Sequence, residues 1–215
     1  MSTSKILCLV LGVLSLFVSG CAISRSVVSV PVNQVNNPEQ GTMVVITDVK
    51  DMRHFEAEPT DPAKPSLKGA EIADKSITSR AFARKRNAYG MAIGDVVLSE
   101  GESVSALVKR GLTNVLRTKG YRVQDDARQG ISEGSIPLEV GIKQFWCWME
   151  PGFWYVTSNF KGELELRGNI FKSTDKEIIQ TRTDKGHQFI TEDDWIATAQ
   201  GGLDALMIQF TEKLK

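Results

Sequence analysis

The feature that most constrains this chain is the apolar run Ile6–Val18, ILCLVLGVLSLFV, which closes on Val18-Ser19-Gly20-Cys21. Only a short polar start with one cation, Lys5, precedes it. The run has the length of a secretory signal core and falls short of the ~20 residues a helix needs to cross ~30 Å of hydrocarbon. Residues 1–20 are therefore expected to be removed, leaving the fold to the 195 residues that begin at Cys21. That is enough chain for one domain with a proper core.

Ser19 and Gly20 are small enough for a peptidase to hold the chain extended, and the Cys21 thiolate can take a diacylglyceryl group. VSGC resembles the lipobox of bacterial lipoproteins at all four positions. The resemblance implies cleavage before Cys21 and lipidation there. It also implies stable anchoring by several acyl chains, where one would hold only reversibly. Ala22 follows, in place of the aspartate that retains such proteins at the inner membrane. The implied location is thus the outer membrane, facing the periplasm, with the inner membrane second.

Composition removes several alternatives. Acidic and basic residues balance at 26 each, so no global field draws nucleic acid. Cys8 leaves with the leader and Cys21 is consumed by lipid, so Cys147 is the only free thiol and no internal disulfide can form. With His54 and His187 as the only histidines, no metal site and no cofactor are expected.

Residues 21–41, rich in Ser, Val, Asn and Pro, read as a lipidated tether, with a short edge strand allowed near Val27–Val32. A single α+β domain is expected over 42–215. Thr42–Val49 is a β-branched strand. A loop-rich insertion follows at 54–98, punctuated by Pro59, Pro62 and Pro65, with helix conceivable over Ala70–Arg86. Ser99–Lys119 carries an apolar stripe at helical period between a capping-box start and Gly120. Tyr121–Gln124 reads as a short strand. Ile136–Met149 places Leu138, Val140, Ile142, Trp146 and Trp148 on one face, and Glu150-Pro151-Gly152 turns the chain. From Phe160 onward Leu164, Leu166 and Ile170 alternate with Lys161, Glu163, Glu165, Arg167 and Asn169, as a strand with one wet face would. A strand over Lys176–Thr183 follows the Ser173-Thr174-Asp175 corner, and Thr191 caps a last helix. Together these predict a two-layer α+β sandwich: a mainly antiparallel sheet of about 4–5 strands with two amphipathic helices on one face.

In this order of elements the chain resembles the YajG-type family of uncharacterised bacterial lipoproteins. The points of contact are VSGC, the strand MVVITDVKD, the helix end LRTKGYRV, the antiparallel meander and the C-terminal helix. The insertion at 54–98 departs from that pattern. The resemblance implies an envelope lipoprotein and carries over no catalytic residue. In layout the chain is also similar, more loosely, to lipoproteins that assist lipopolysaccharide assembly or envelope transporters.

Two features are candidate contact sites. Phe153, Trp154 and Tyr155 flank the hairpin turn, where rings can stack on sugars or anchor a protein partner. The competing use of hairpin aromatics is cross-strand packing. Arg80, Arg84, Lys85 and Arg86 form a basic cluster that can meet anionic headgroups or an acidic partner, or merely be solvated. Cys147 is read as a buried thiol without a base. No Ser-His-Asp or paired-carboxylate arrangement is visible in the sequence, so no enzyme activity is expected. The expected function is that of a membrane-anchored accessory protein binding another envelope component. The alternative is a periplasmic glycan- or lipid-binding module for peptidoglycan or lipopolysaccharide.

Overall fold

A computed structural model describes residues 25–87, 89–124, 132–172 and 175–215. The leader, Cys21 and the Ser173-Thr174 corner lie outside the described residues. The strands are β1 (Ser26–Val28), β2 (Met43–Asp51), β3 (Ala81–Arg86), β4 (Ala92–Leu98), β5 (Arg122–Gln124), β6 (Ile136–Pro151), β7 (Val156–Arg167) and β8 (Lys176–His187). The helices are α1 (Gly69–Ala73), α2 (Lys75–Thr78), α3 (Val104–Thr118) and α4 (Glu192–Lys213).

The long strand β6 is the spine. One edge pairs antiparallel with β7, which pairs antiparallel with β8. Two strands share the other edge: β2 lies parallel to its first half and β3 parallel to its second. β5 extends the sheet from β2, while β4 and then β1 extend it from β3. The expected sheet of 4–5 mainly antiparallel strands is thereby corrected to a mixed sheet of eight strands. Parallel ladders join β1 to β4, β2 to β5 and β6, and β3 to β6.

The missing strands came from two places. AFARKR and AIGDVVL lack clean alternation because both faces of β3 and β4 are covered, which favours continuous apolar character. The helical reading of Ala70–Arg86 therefore holds only for two short turns, and its end is strand β3. Ser26–Val28, within the stretch read as tether, is an edge strand at the start of the Val27–Val32 segment where one was allowed. Beyond it Val30 is buried, and Arg117 bonds the Val35 carbonyl at 2.8 Å and the Asn37 side chain at 3.0 Å. The described part of the supposed tether is thus packed against the domain.

As expected, α3 and α4 cover one face, burying Leu107, Leu112, Leu116, Leu203, Leu206 and Phe210 against Leu138, Ile142, Phe160, Leu164 and Leu166. The α3 cap is Ser103, whose Oγ accepts from the Ala106 N–H at 3.1 Å. Ser99, expected there, instead meets the Ser29 hydroxyl at 2.8 Å. Gly120 ends α3 at φ 85°, where a side chain would be strained. Thr191 and Asp194 cap α4 reciprocally.

A β-bulge decides which rings face which layer. Between Ile142 and Gln144 the β6 strand advances two residues while β7 advances one. Before it Leu138, Val140 and Ile142 face the helices; after it Phe145 and Cys147 do. Trp146 and Trp148 are buried as expected, but on the opposite face, against Phe55 and Ala63 from the insertion. Leu67, Ile72 and Ile77 continue that cover over Ala81 and Val97. Arg53 fastens it. Its fully buried guanidinium bonds Asp51 at 2.6 and 2.8 Å and the carbonyls of Ala81 and Thr78 at 2.6 and 2.9 Å. It also lies 4.9 Å from the centroid of the Trp146 ring. Residues 54–80 of the insertion therefore form a second layer over the β3–β4–β6 part of the sheet, and the rest of the insertion supplies β3 and β4 themselves. The C-terminal part of β7 keeps its wet face, where Glu165 gathers Lys143, Arg167 and Lys176.

Candidate functional site

Strand directions bring several turns to one end of the sheet, here called the upper end. β6 and β3 run upward in parallel, so the β3–β4 turn at 87–91 neighbours the β6–β7 turn at 152–155. His187 pairs with Val156, so β8 also ends there and hands the chain to α4.

The β6–β7 turn is closed by the Gly152 N–H donating to the Tyr155 carbonyl at 2.8 Å. A Cβ at Gly152 would stand 2.7 Å from that oxygen, so glycine is required by close approach. The tightness of this turn turns the rings outward. Phe153 is 89%, Trp154 83% and Tyr155 57% exposed. Phe153 and Trp154 meet edge to face with centroids 4.8 Å apart. The neighbouring turn is fixed by the Asn87 side chain, which accepts from the N–H groups of Tyr89 and Met91 at 3.0 Å each. Tyr89 and Met91 project outward, and so does Phe189 beyond β8.

The basic cluster is not one surface. Arg84 is buried and its guanidinium donates to the Pro59 carbonyl at 3.1 Å. Burial lowers its pKa and that of Lys85. Lys85 points to the other face, donating to the Ser26 hydroxyl at 2.5 Å, and Ser26 in turn donates to Glu192 at 2.7 Å. Arg86 bonds the Gly90 carbonyl, and Arg80 the carbonyls of Ser76 and Leu98. The four cations serve mostly as struts, and strand alternation sends Arg84 and Lys85 apart.

The fold does assemble a Ser-His-Asp chain that the sequence reading missed. The His187 ring lies 2.9 Å from Ser158 Oγ through Nε2 and 3.0 Å from Asp194 through Nδ1. The Thr198 hydroxyl donates to Ser158 Oγ at 2.8 Å. Only β7–β8 pairing and the approach of α4 bring these residues together, so linear spacing carried no signal. Ser158 is fully buried within a ladder that pairs it with Met149 and Lys185, so its own N–H is not free to stabilise an oxyanion. The arrangement clips the β8–α4 connection beneath the rings. The N–H and hydroxyl of the Thr191 cap, with the His187 ring, hold the Asp194 carboxyl below its ordinary pKa. Cys147, buried on the helix side, has its thiol pushed far up by desolvation.

No group of three or more His, Cys, Asp or Glu among the described residues is placed to hold a metal ion. No described helix is long and apolar enough to cross a membrane.

No protein-family model matches the chain, and no curated protein sequence matches it. Solved structures give slight likenesses. One is the crystal structure of an uncharacterised protein, 11% identical, with a TM-score of 0.46 over 88% of this chain and 97% of that one. A Xanthomonas campestris protein of the DUF330 family is 11% identical, with a TM-score of 0.39 over 87% of this chain and 91% of that one. A Helicobacter pylori protein described as a neuraminyllactose-binding hemagglutinin homologue is 12% identical, with a TM-score of 0.29 over 86% and 91%. None is described as a YajG-type protein, so that resemblance stays an expectation of the sequence. Likenesses this slight fix neither a fold family nor a function, and the functional reading rests on the chain's own residues.

Proposed function

We propose that this chain is a membrane-anchored envelope lipoprotein, lipidated at Cys21, that acts by contact rather than by catalysis. Its contact surface is the aromatic tip Phe153-Trp154-Tyr155, and it is an accessory to another component of the envelope. The observation that carries the contact reading is the exposure of three successive rings on one tight turn. Burying such a ring at an interface is worth ~2 kcal/mol or more, about a thirtyfold change in affinity. The anchoring reading rests on the apolar run and VSGC, in keeping with the YajG-type resemblance. Ala22 favours the outer membrane, facing the periplasm.

The second reading is a glycan- or lipopolysaccharide-binding module, favoured by the same rings as stacking platforms. The dispersal of Arg80, Arg84, Lys85 and Arg86 weakens it, since no shared cationic surface is left for phosphates. A photo-crosslinking residue at Trp154, compared with one at exposed Ile208 on α4, tests the contact surface in cells. Capture of an envelope component from position 154 and not from 208 is expected. Equal capture from both removes the tip as the contact surface.

A further inference from the structure

We infer that the upper end of the sheet sits in the headgroup region of the bilayer that holds the Cys21 lipid. Tyr89, Met91, Phe153, Trp154 and Phe189 then form an aromatic rim that fixes the domain's orientation. The inference rests on the anchoring reading above and names the surface its rings meet.

The start of β1 sets the geometry. Ser26 pairs in parallel with Val96, and β4 runs downward from the β3–β4 turn. The chain therefore enters the domain from the upper end. Arg25 is held at that level by Glu71 at 2.9 Å and Asp95 at 4.0 Å. Ser26 is held through its bond to Glu192 at the start of α4. Cys21 lies four residues before Arg25, so full extension places it at most about 14 Å away. Asp95 stands three residues below Ala92, about 10 Å along the strand. A lipidated Cys21 thus reaches at most about 4 Å beyond Ala92, no further than the level of the β3–β4 turn itself, so that turn falls within the ~5–8 Å depth of one headgroup layer. The lower end is out of reach, because the 16 residues of β6 span about 50 Å.

The side chains fit that position. Along the upper end the order is β4, β3, β6, β7, β8, about 19 Å across. Every turn on this front carries an exposed apolar residue: Tyr89 at 88% and Met91 at 60%, Phe153 at 89% and Trp154 at 83%, and Phe189 at 70%. Trp and Tyr are the residues that favour the membrane–water boundary. Of the nearby carboxylates, Glu150 accepts from Trp148 at 2.9 Å, Glu192 from Ser26 at 2.7 Å and Asp194 lies 3.0 Å from the His187 ring, while Asp193 is exposed. The envelope component these rings meet is then the lipid headgroup layer itself.

The test uses the full lipidated chain in vesicles of phosphatidylethanolamine and phosphatidylglycerol whose acyl chains carry bromine at a shallow position. Trp146, Trp148 and Trp195 are buried, so Trp154 alone is open to a quencher. Wild-type emission should be quenched by the bromolipid and protected from iodide in the water. Trp154→Phe should lose that quenching, and adding Tyr89→Trp to it should restore quenching. Wild-type emission that ignores bromolipid and yields to iodide, from chain that is acylated and floats with the vesicles, overturns the inference and leaves anchoring intact. A chain that is neither acylated nor vesicle-bound overturns both.

Discussion

Gly201 and Gly202 are neighbours in α4, yet alanine should act on them in opposite directions. In a helix interior alanine is favoured over glycine by about 1 kcal/mol, which applies equally to both. Gly201 is exposed and an added Cβ meets nothing within 4 Å. Gly202 is buried against β7, where a Cβ would stand 2.1–2.4 Å from three atoms of the Phe160 ring. That ring has nowhere to retreat: it packs edge to face on Phe145 at 5.0 Å and passes over Gly162, whose own Cβ would meet it at 2.8 Å. Overpacking of a filled core costs about 1–3 kcal/mol, and the severity of this overlap puts Gly202 at the upper part of that range. Gly201→Ala should therefore gain ~0.5–1 kcal/mol, and Gly202→Ala should lose ~1–2 kcal/mol net of the helix gain. For a domain of this size each kcal/mol moves the melting temperature by about 2–4 °C. Urea unfolding with unchanged m-values reads both. Gly202→Ala matching Gly201→Ala in stability would refute the close seating of α4 on β7.

Further consequences follow from burial and charge. Trp146→Ala should destabilise by ~3–5 kcal/mol as a core truncation, while Trp154→Ala leaves the melting temperature nearly unchanged; a large loss at Trp154 would make that ring structural. Arg53→Met should cost ~3–5 kcal/mol, because it strands the buried side of Asp51 and two carbonyls, and should expose residues 54–80 to limited proteolysis. Arg53→Lys should not rescue it, since one ammonium cannot reproduce the fork; full rescue would refute the strut. The Asp194 carboxyl titrates below its unfolded value, chiefly through the Thr191 N–H. Its stabilisation is present above the unfolded carboxylate pKa and is lost as pH falls through the folded one. Asp194→Asn should therefore differ from wild type in urea midpoint at neutral pH and converge with it in acid. An equal difference at both pH values would remove the carboxylate from the account.

The centre of the sheet was legible because β7 and β8 have one wet face, so their sequences alternate. Likewise α3 and α4 show their stripes and caps, and Gly120 marks its corner. What escaped has physical reasons. Covering both faces of β3 and β4 erases alternation, so residues 81–98 read as neither strand nor helix. The bulge at Lys143 inverts parity beyond it, which moves Trp146 and Trp148 to a layer built by the insertion. At the candidate site, the exposure of Phe153-Trp154-Tyr155 follows from a turn that sequence punctuation announced. The separation of Arg84 from Lys85 follows from β3, and the meeting of Ser158, His187 and Asp194 from strand pairing.

Anchoring at Cys21 is the premise of the whole reading, and intact-mass spectrometry of the chain purified from membranes tests it most directly. The mature protein should begin at Cys21 and carry a diacylglyceryl group with its acyl chains, and Cys21→Ser should accumulate as an uncut, unacylated precursor. A wild-type chain without acyl mass, or a Cys21→Ser chain cut at the same site, would contradict it.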